Sequence, residues 1–266
     1  MAGRRDLRLI SRKSCPPDWV HPRPASTRQC GRAVGKTIDD VIFDLDGTLI
    51  DSQPAALGAS IEALSRFGVQ VTAPEIRMQF GGGSRKLMQH FLERDLSAGK
   101  AGRALDEATQ LKISLQASFT DRVVLLPQAR ELLVLLKDSG YRLALATMAA
   151  RDVVDEILSH HGIQKYFDHV LTADDVIHGK PDPEILTKTV ELMGGQVSRT
   201  LYIGDSTHDL EAAVRLGMPF LLVDTGIYVR GETRSRLRST AEENGYPIVG
   251  LEGLLDIGEI VGTHAF

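Results

Sequence analysis

The stretch that most constrains this chain is DDVIFDLDGTLID, residues 39–51. Val41-Ile42-Phe43 is a short apolar run, rich in β-branched residues, whose length suits a buried strand better than a helix. It stops at two carboxylates, Asp44 and Asp46, followed at once by Gly47 and Thr48. A strand ending in paired acids and a glycine presents both at the carboxyl edge of a sheet, where open α/β sheets bind ligands. Neither acid has a basic neighbour in the sequence, so a divalent cation is their natural partner. An Asp-rich turn closing a strand is the plainer reading of the same residues.

The remainder divides by rhythm. From Pro54 to Arg122 the apolar spacing is helical throughout, with helices expected over 55–67, from Pro74, over 85–96 behind a Ser84 cap, and over 103–121. Beyond Pro127 short apolar runs alternate with helical ones: strands at 141–146, 169–171, 200–203 and 219–223, with helices between them. Such alternation implies a parallel sheet with right-handed crossovers. Several of these strands end in a hydroxyl or carboxylate (Asp44, Thr147, Asp205, Asp224), so polar groups gather along one edge. Past Thr225 the pattern weakens into an arginine-rich loop at 230–238, an edge strand near 247–249 and a last helix over 251–260. The expected fold is α/β, a Rossmann-like parallel sheet core interrupted by a helical insertion. Its pieces are a disordered basic extension over 1–36, core segments 37–53 and 123–266, and an insertion over 54–122.

Four separated stretches carry a resemblance. Asp44-Leu45-Asp46-Gly47-Thr48 comes first, then Thr147 at a strand end, then Lys180 in Gly-Lys-Pro-Asp-Pro, then Gly204-Asp205-Ser206-Thr207-His208-Asp209. In that order the chain resembles the haloacid dehalogenase-like hydrolase superfamily, and within it the phosphoglycolate phosphatase-like branch with a helical cap. The resemblance spans about Ile38 to Val223.

It implies a Mg2+-dependent phosphatase acting on a small phosphomonoester, with 2-phosphoglycolate as the leading substrate. Asp44 would be the nucleophile, forming an aspartyl-phosphate, a recognised carboxylate tactic. Asp46 would protonate the leaving oxygen and later activate water. The cation would be held by Asp44, the main-chain carbonyl of Asp46, and Asp205, a hard oxygen set of the kind Mg2+ prefers. Thr147 and Lys180 would hold the phosphate; read alone, they are a strand-end hydroxyl and a surface lysine. Met148 departs from relatives that carry a polar residue there, leaving its backbone N–H as the contact. Asp209 is read either as a support for the metal or as an acid serving a helix dipole. In the insertion, Gly81-Gly82-Gly83 would be the substrate-facing loop of the cap, with Gly82, Arg85 and Lys86 as contacts; a plain turn with solvated basic residues competes. His160, His161, His178 and His208 lack metal-ligand spacing and read as surface or packing residues.

Other activities share the core. A dehalogenase would need neither Asp46 nor a cation, and a phosphonatase would need a cap lysine for a Schiff base, for which Lys86 is the candidate. A sugar-phosphate mutase, a pyrophosphatase or a nucleotidase would use the same residues under a different cap. A non-catalytic interaction protein is the reading from another class, opposed by the intact set Asp44, Asp46, Thr147, Lys180 and Asp205.

Charge and composition narrow the partners. The formal net charge is −4, yet residues 1–36 hold nine basic side chains against Asp6 and Asp18. The rest is therefore distinctly acidic, which argues against nucleic acid as a main partner. No apolar run approaches the ~20 residues of a membrane span, so a soluble protein with no membrane partner is expected. A small phosphorylated metabolite is the expected partner, and a homodimer is left open. The two cysteines, Cys15 and Cys30, fit no zinc or redox motif. A cytoplasmic location is expected, with organelle targeting through the basic extension as the alternative; prolines at 16, 17, 22 and 24 interrupt any amphipathic helix there.

Overall fold

The computed structural model describes residues 38–79 and 83–263. The expected disorder over 1–36, both cysteines, and the cap glycine Gly82 lie outside the described residues.

The chain enters through β1 (Asp40–Phe43), all four residues buried, and turns into a two-residue strand, β2 (Ile50–Asp51). Four helices follow: α1 (Gln53–Arg66), α2 (Ala73–Met78), α3 (Gly83–Asp95) and α4 (Ala98–Ser118). The chain then returns through β3 (Val124–Leu125), which pairs antiparallel with β2 where the helical segment leaves and rejoins. Next come α5 (Ala129–Asp138), β4 (Arg142–Ala146), α6 (Arg151–His160), β5 (His169–Leu171) and α7 (Glu184–Met193). Then follow β6 (Thr200–Gly204), α8 (Thr207–Leu216), β7 (Phe220–Asp224), α9 (Gly231–Glu243), β8 (Ile248–Gly250) and α10 (Asp256–Thr263).

The main sheet is parallel, in the order β5-β4-β1-β6-β7-β8. The chain runs outward on one side through β4 and β5 and on the other through β6, β7 and β8, so the order reverses around β1. A crevice outside the carboxyl ends of the strands at such a reversal is where open α/β sheets place ligands. Both faces of the sheet are covered. Val41 and Phe43 pack with apolar residues of α5, α6 and α10, while Ile42 packs on the other face with those of α7, α8 and α9. Burial on two faces is why these strands read as continuous apolar runs rather than alternating ones.

The inserted helices have an apolar cluster of their own, built on Leu64, Ile76, Met88, Phe91 and Leu92. An α/β core carrying a helical cap is thus the architecture present. Four details differ from expectation. Ser84 is the second residue of α3 rather than its cap. Helix α4 begins at Ala98, ahead of the expected 103; Gly99 and Gly102 depress its local propensity, but it packs on α1 and α3 and buries Ala101. The arginine-rich stretch from 230 is mostly helix α9, which buries little beyond Leu237 and Ala241 and so shows almost no apolar stripe. The β2–β3 ribbon is too short for alternation to reveal it. No helix among the described residues is long and apolar enough to cross a membrane.

Candidate active site

Asp44 is still laddered to the sheet, its backbone N–H donating to the Ile203 carbonyl at 2.8 Å. The chain then coils tightly: Gly47 N–H donates to Ile50 O (2.8 Å) and Leu49 N–H to Leu45 O (2.9 Å), with Leu45 fully buried as the anchor. Gly47 has φ +79°, and a Cβ there would collide with the Asp205 carboxylate. Glycine is therefore required twice over, for the turn and for the approach of Asp205.

Asp205 follows the end of β6, the neighbour of β1, and Thr147 follows the end of β4, the neighbour on the other side. Sheet order alone thus places Asp44, Thr147 and Asp205 side by side. Lys180 arrives from the segment before α7. Its ammonium donates to Asp44 Oδ1 (2.8 Å), Asp209 Oδ1 (2.9 Å), the Ala146 carbonyl (2.8 Å) and the Tyr202 hydroxyl (2.5 Å). The side chain is only 4% exposed, so the reading of Lys180 as a surface lysine fails. The Thr147 hydroxyl, also buried, accepts from the Ala149 N–H at 3.2 Å. Met148 is half exposed and lines the same pocket.

Asp209 does two things at once. Oδ1 accepts from Lys180 and from the Tyr202 hydroxyl, while Oδ2 accepts from the Ser206 N–H at 3.1 Å in a capping box at the start of α8. Its pairing with Lys180 and its service to the helix end are therefore both real. Asp46 Oδ1 accepts from the Ser52 hydroxyl and, at 3.4 Å, from the Tyr228 hydroxyl. Asp44, Asp46, Asp205, Asp209, Thr147 and Lys180 all line one cavity of about 610 Å3.

The charges do not balance. Among the described residues Lys180 is the one lysine or arginine lining this cavity, against four carboxylates. Burial pushes the Asp44 carboxyl up to about 7, with Lys180 pulling the other way. Burial raises Asp46 as well, opposed by the hydroxyls of Ser52 and Tyr228. At Asp209 burial is outweighed by Lys180, Ser206 and Tyr202, which hold the carboxyl below its ordinary value. Asp205 is pushed well up by burial and by Asp209, Asp44 and Asp46. Among the described residues the Asp205 carboxylate has neither a hydrogen bond nor an ion pair of its own. Oxygens of Asp44, Asp205 and Asp209 lie within 4.8 Å of one another. A largely buried carboxylate facing others, with no donor of its own among the described residues, is the arrangement a hard divalent cation satisfies, so the residues present fit one.

Tyr202, Ser52 and Tyr228 were not expected here. Tyr202 carries a visible signal, a phenol between the fully buried Leu201 and Ile203; Tyr228 lies where the sequence pattern fades. Two of the expected cap contacts, Arg85 and Lys86, sit on exposed surface. Arg85 pairs with Asp106 on the exposed surface, Lys86 is exposed, and neither lines the cleft beneath the cap. Ser84 and Leu87 on the same helix do line it. One turn of α3 shows the cleft only one face, and residues 85 and 86 lie on the other. Of the four histidines named above, His208 is exposed and lines both the cavity and the cleft.

A family model described as "Haloacid dehalogenase-like hydrolase" matches residues 41–223. The chain is 33% identical to a "Probable phosphatase IndB" of Dickeya dadantii over 73% of its own length and 85% of the relative's. It is 29% identical to a phosphoglycolate phosphatase of Pseudomonas syringae pv. syringae, covering 79% of this chain and 75% of that one. Among solved structures, a "putative beta-phosphoglucomutase" of Thermotoga maritima superposes with a TM-score of 0.70 at 25% identity, covering 84% of this chain and 99% of that one.

Proposed function

This chain belongs to the haloacid dehalogenase-like hydrolases, and from that premise we propose that it is a Mg2+-dependent phosphatase of small phosphomonoesters, with 2-phosphoglycolate as the leading substrate. One observation carries the reading: Lys180 Nζ, 2.8 Å from Asp44 Oδ1, joins the nucleophile candidate to the phosphate-holding candidates in one buried cavity.

The steps follow from the chemistry of these side chains. A phosphomonoester is a polyanion, so a cavity dominated by carboxylates needs cations before it admits one. Mg2+, held by Asp44, Asp205 and the backbone carbonyl of Asp46, would supply that neutralisation and polarise the phosphoryl oxygens. Lys180 and the Thr147 hydroxyl hold the equatorial oxygens. An Asp44 oxygen attacks phosphorus, the bond from phosphorus to the ester oxygen breaks, and the departing oxygen takes its proton from Asp46. Burial favours the protonated form of Asp46 that this step needs. Water then attacks the aspartyl-phosphate, giving its proton to Asp46, and phosphate leaves with Asp44 regenerated. Tyr202 and Asp209 position Lys180, and Ser52 and Tyr228 position Asp46.

Hydrolysis of p-nitrophenyl phosphate tests the proposal. Wild type with Mg2+ should turn it over, EDTA should stop it, and Mg2+ should restore it; metal-independent turnover would contradict the reading. A mutase reading, in which the phosphoryl group passes to a sugar hydroxyl instead of water, draws on the likeness to the Thermotoga maritima protein. Phosphate release from 2-phosphoglycolate without a sugar acceptor favours the phosphatase.

A further inference from the structure

Lys112 lies on α4 with only 7% of its surface exposed. Its ammonium donates to the Ser84 hydroxyl (2.8 Å) on α3 and to the Gln116 side-chain carbonyl one turn further along α4. Both acceptors are neutral, and among the described residues Lys112 has no carboxylate partner. Buried lysines are rare and usually paired. Burial draws this one down to about 8, which still leaves it mostly charged at neutral pH.

Lys112 lines a cleft of about 720 Å3, and among the described residues no carboxylate lines that cleft. Arg77 and Arg230 line it too, from exposed positions. The neighbouring cavity has the opposite character, holding Asp44, Asp46, Asp205 and Asp209. Gln116, Ser206, His208 and Tyr228 line both, so the two spaces adjoin. Gln116 stands at the shared wall and follows Lys112 by four residues, which is ~6 Å along a helix.

We propose that Lys112, positioned by Ser84 and Gln116, binds a second anionic group of the substrate, a carboxylate a few bonds from phosphorus, and so selects short phosphorylated acids. The inference rests on the phosphatase reading and adds the residue that discriminates among substrates. A carboxylate suits the site because one buried ammonium offsets one negative charge. A second phosphate would leave excess charge out of water.

The test compares 2-phosphoglycolate with 2-hydroxyethyl phosphate, in which a neutral hydroxymethyl group replaces the carboxylate. In kcat/KM the wild type should prefer the acid by about tenfold or more, the discrimination expected of a charge-assisted contact. K112M should bring that ratio to within about twofold of unity, chiefly through KM for the acid, and K112R should retain more of it. K112Q serves the same comparison should K112M not fold. An acid preference that persists in K112M or K112Q, or a wild type without one, overturns the inference while turnover of 2-hydroxyethyl phosphate leaves the phosphatase reading standing. Failure of the wild type to hydrolyse either ester with Mg2+ overturns both.

Discussion

Lys180 Nζ and Asp44 Oδ1 lie 2.8 Å apart although 136 positions separate them in the chain. On the other side of the same ammonium, Asp209 Oδ1 lies at 2.9 Å. One buried cation thus ties the end of β1 to the first turn of α8 and restrains two carboxylates that would otherwise repel.

Replacing that cation should hurt both chemistry and stability. Lys180→Ala should lower kcat/KM on p-nitrophenyl phosphate by about a hundred- to a thousandfold, with kcat falling and KM rising together, because in the proposed mechanism Lys180 would hold phosphate in ground and transition states alike. Without divalent ion it should also cost roughly 3–5 kcal/mol, since breaking a buried pair strands its partners. Steady-state kinetics and urea unfolding check the two effects. Lost stability with intact turnover would make Lys180 a structural tie alone.

Asp205 is the opposite case, a buried carboxylate among others with no hydrogen-bond or ion-pair partner among the described residues. Asp205→Asn should abolish Mg2+-dependent turnover yet stabilise the metal-free protein, by on the order of 1 kcal/mol, through removal of a repelled charge. Mg2+ should raise the thermal midpoint of the wild type and leave that of the variant almost unmoved. Thermal scans with and without Mg2+ decide it; a metal-free variant less stable than the wild type would contradict the assignment.

Asp224, at the end of β7, ties down α9 by accepting from Arg234 (2.6 Å) and Arg238. Burial tends to raise its carboxyl, but the two arginines outweigh burial and hold it below the ordinary carboxylate range. A carboxyl depressed in the folded state stabilises above its unfolded pKa and loses that contribution as pH falls through the folded value. Asp224→Asn should therefore cost about 1–3 kcal/mol at neutral pH, and the gap between variant and wild type should narrow as pH falls from ~5 towards ~3. Denaturant unfolding across that range checks the sign; a gap that widens in acid would contradict it.

How much of this was legible in the chain depends on how each residue is held. Val41-Ile42-Phe43 announces itself because a strand buried on both faces has no polar alternation to confuse it with. Asp44, Asp205 and Thr147 could be brought together once the strand ends were placed, since neighbouring parallel strands align those ends. Lys180 could not be placed by pattern, because it comes from an irregular segment and its neighbours in space are remote in sequence. Resemblance supplied it. Helix α9 escaped because its interior side is thin and its arginines, spaced four apart at 234 and 238, serve Asp224 rather than solvent. Charge alone ranks the cap residues differently from burial. Arg85 and Lys86 are conspicuous by charge, whereas Lys112 reads as one more polar residue on a long helix until its burial is seen.

The central claim is that phosphorus passes through a bond to Asp44. Acid quenching during turnover of a radiolabelled phosphomonoester with Mg2+, followed by peptide mapping, tests it most directly. Hydroxylamine-labile label on the peptide bearing Asp44, absent in Asp44→Asn along with turnover, is the predicted result. Label on another residue, or undiminished hydrolysis by Asp44→Asn, would contradict it.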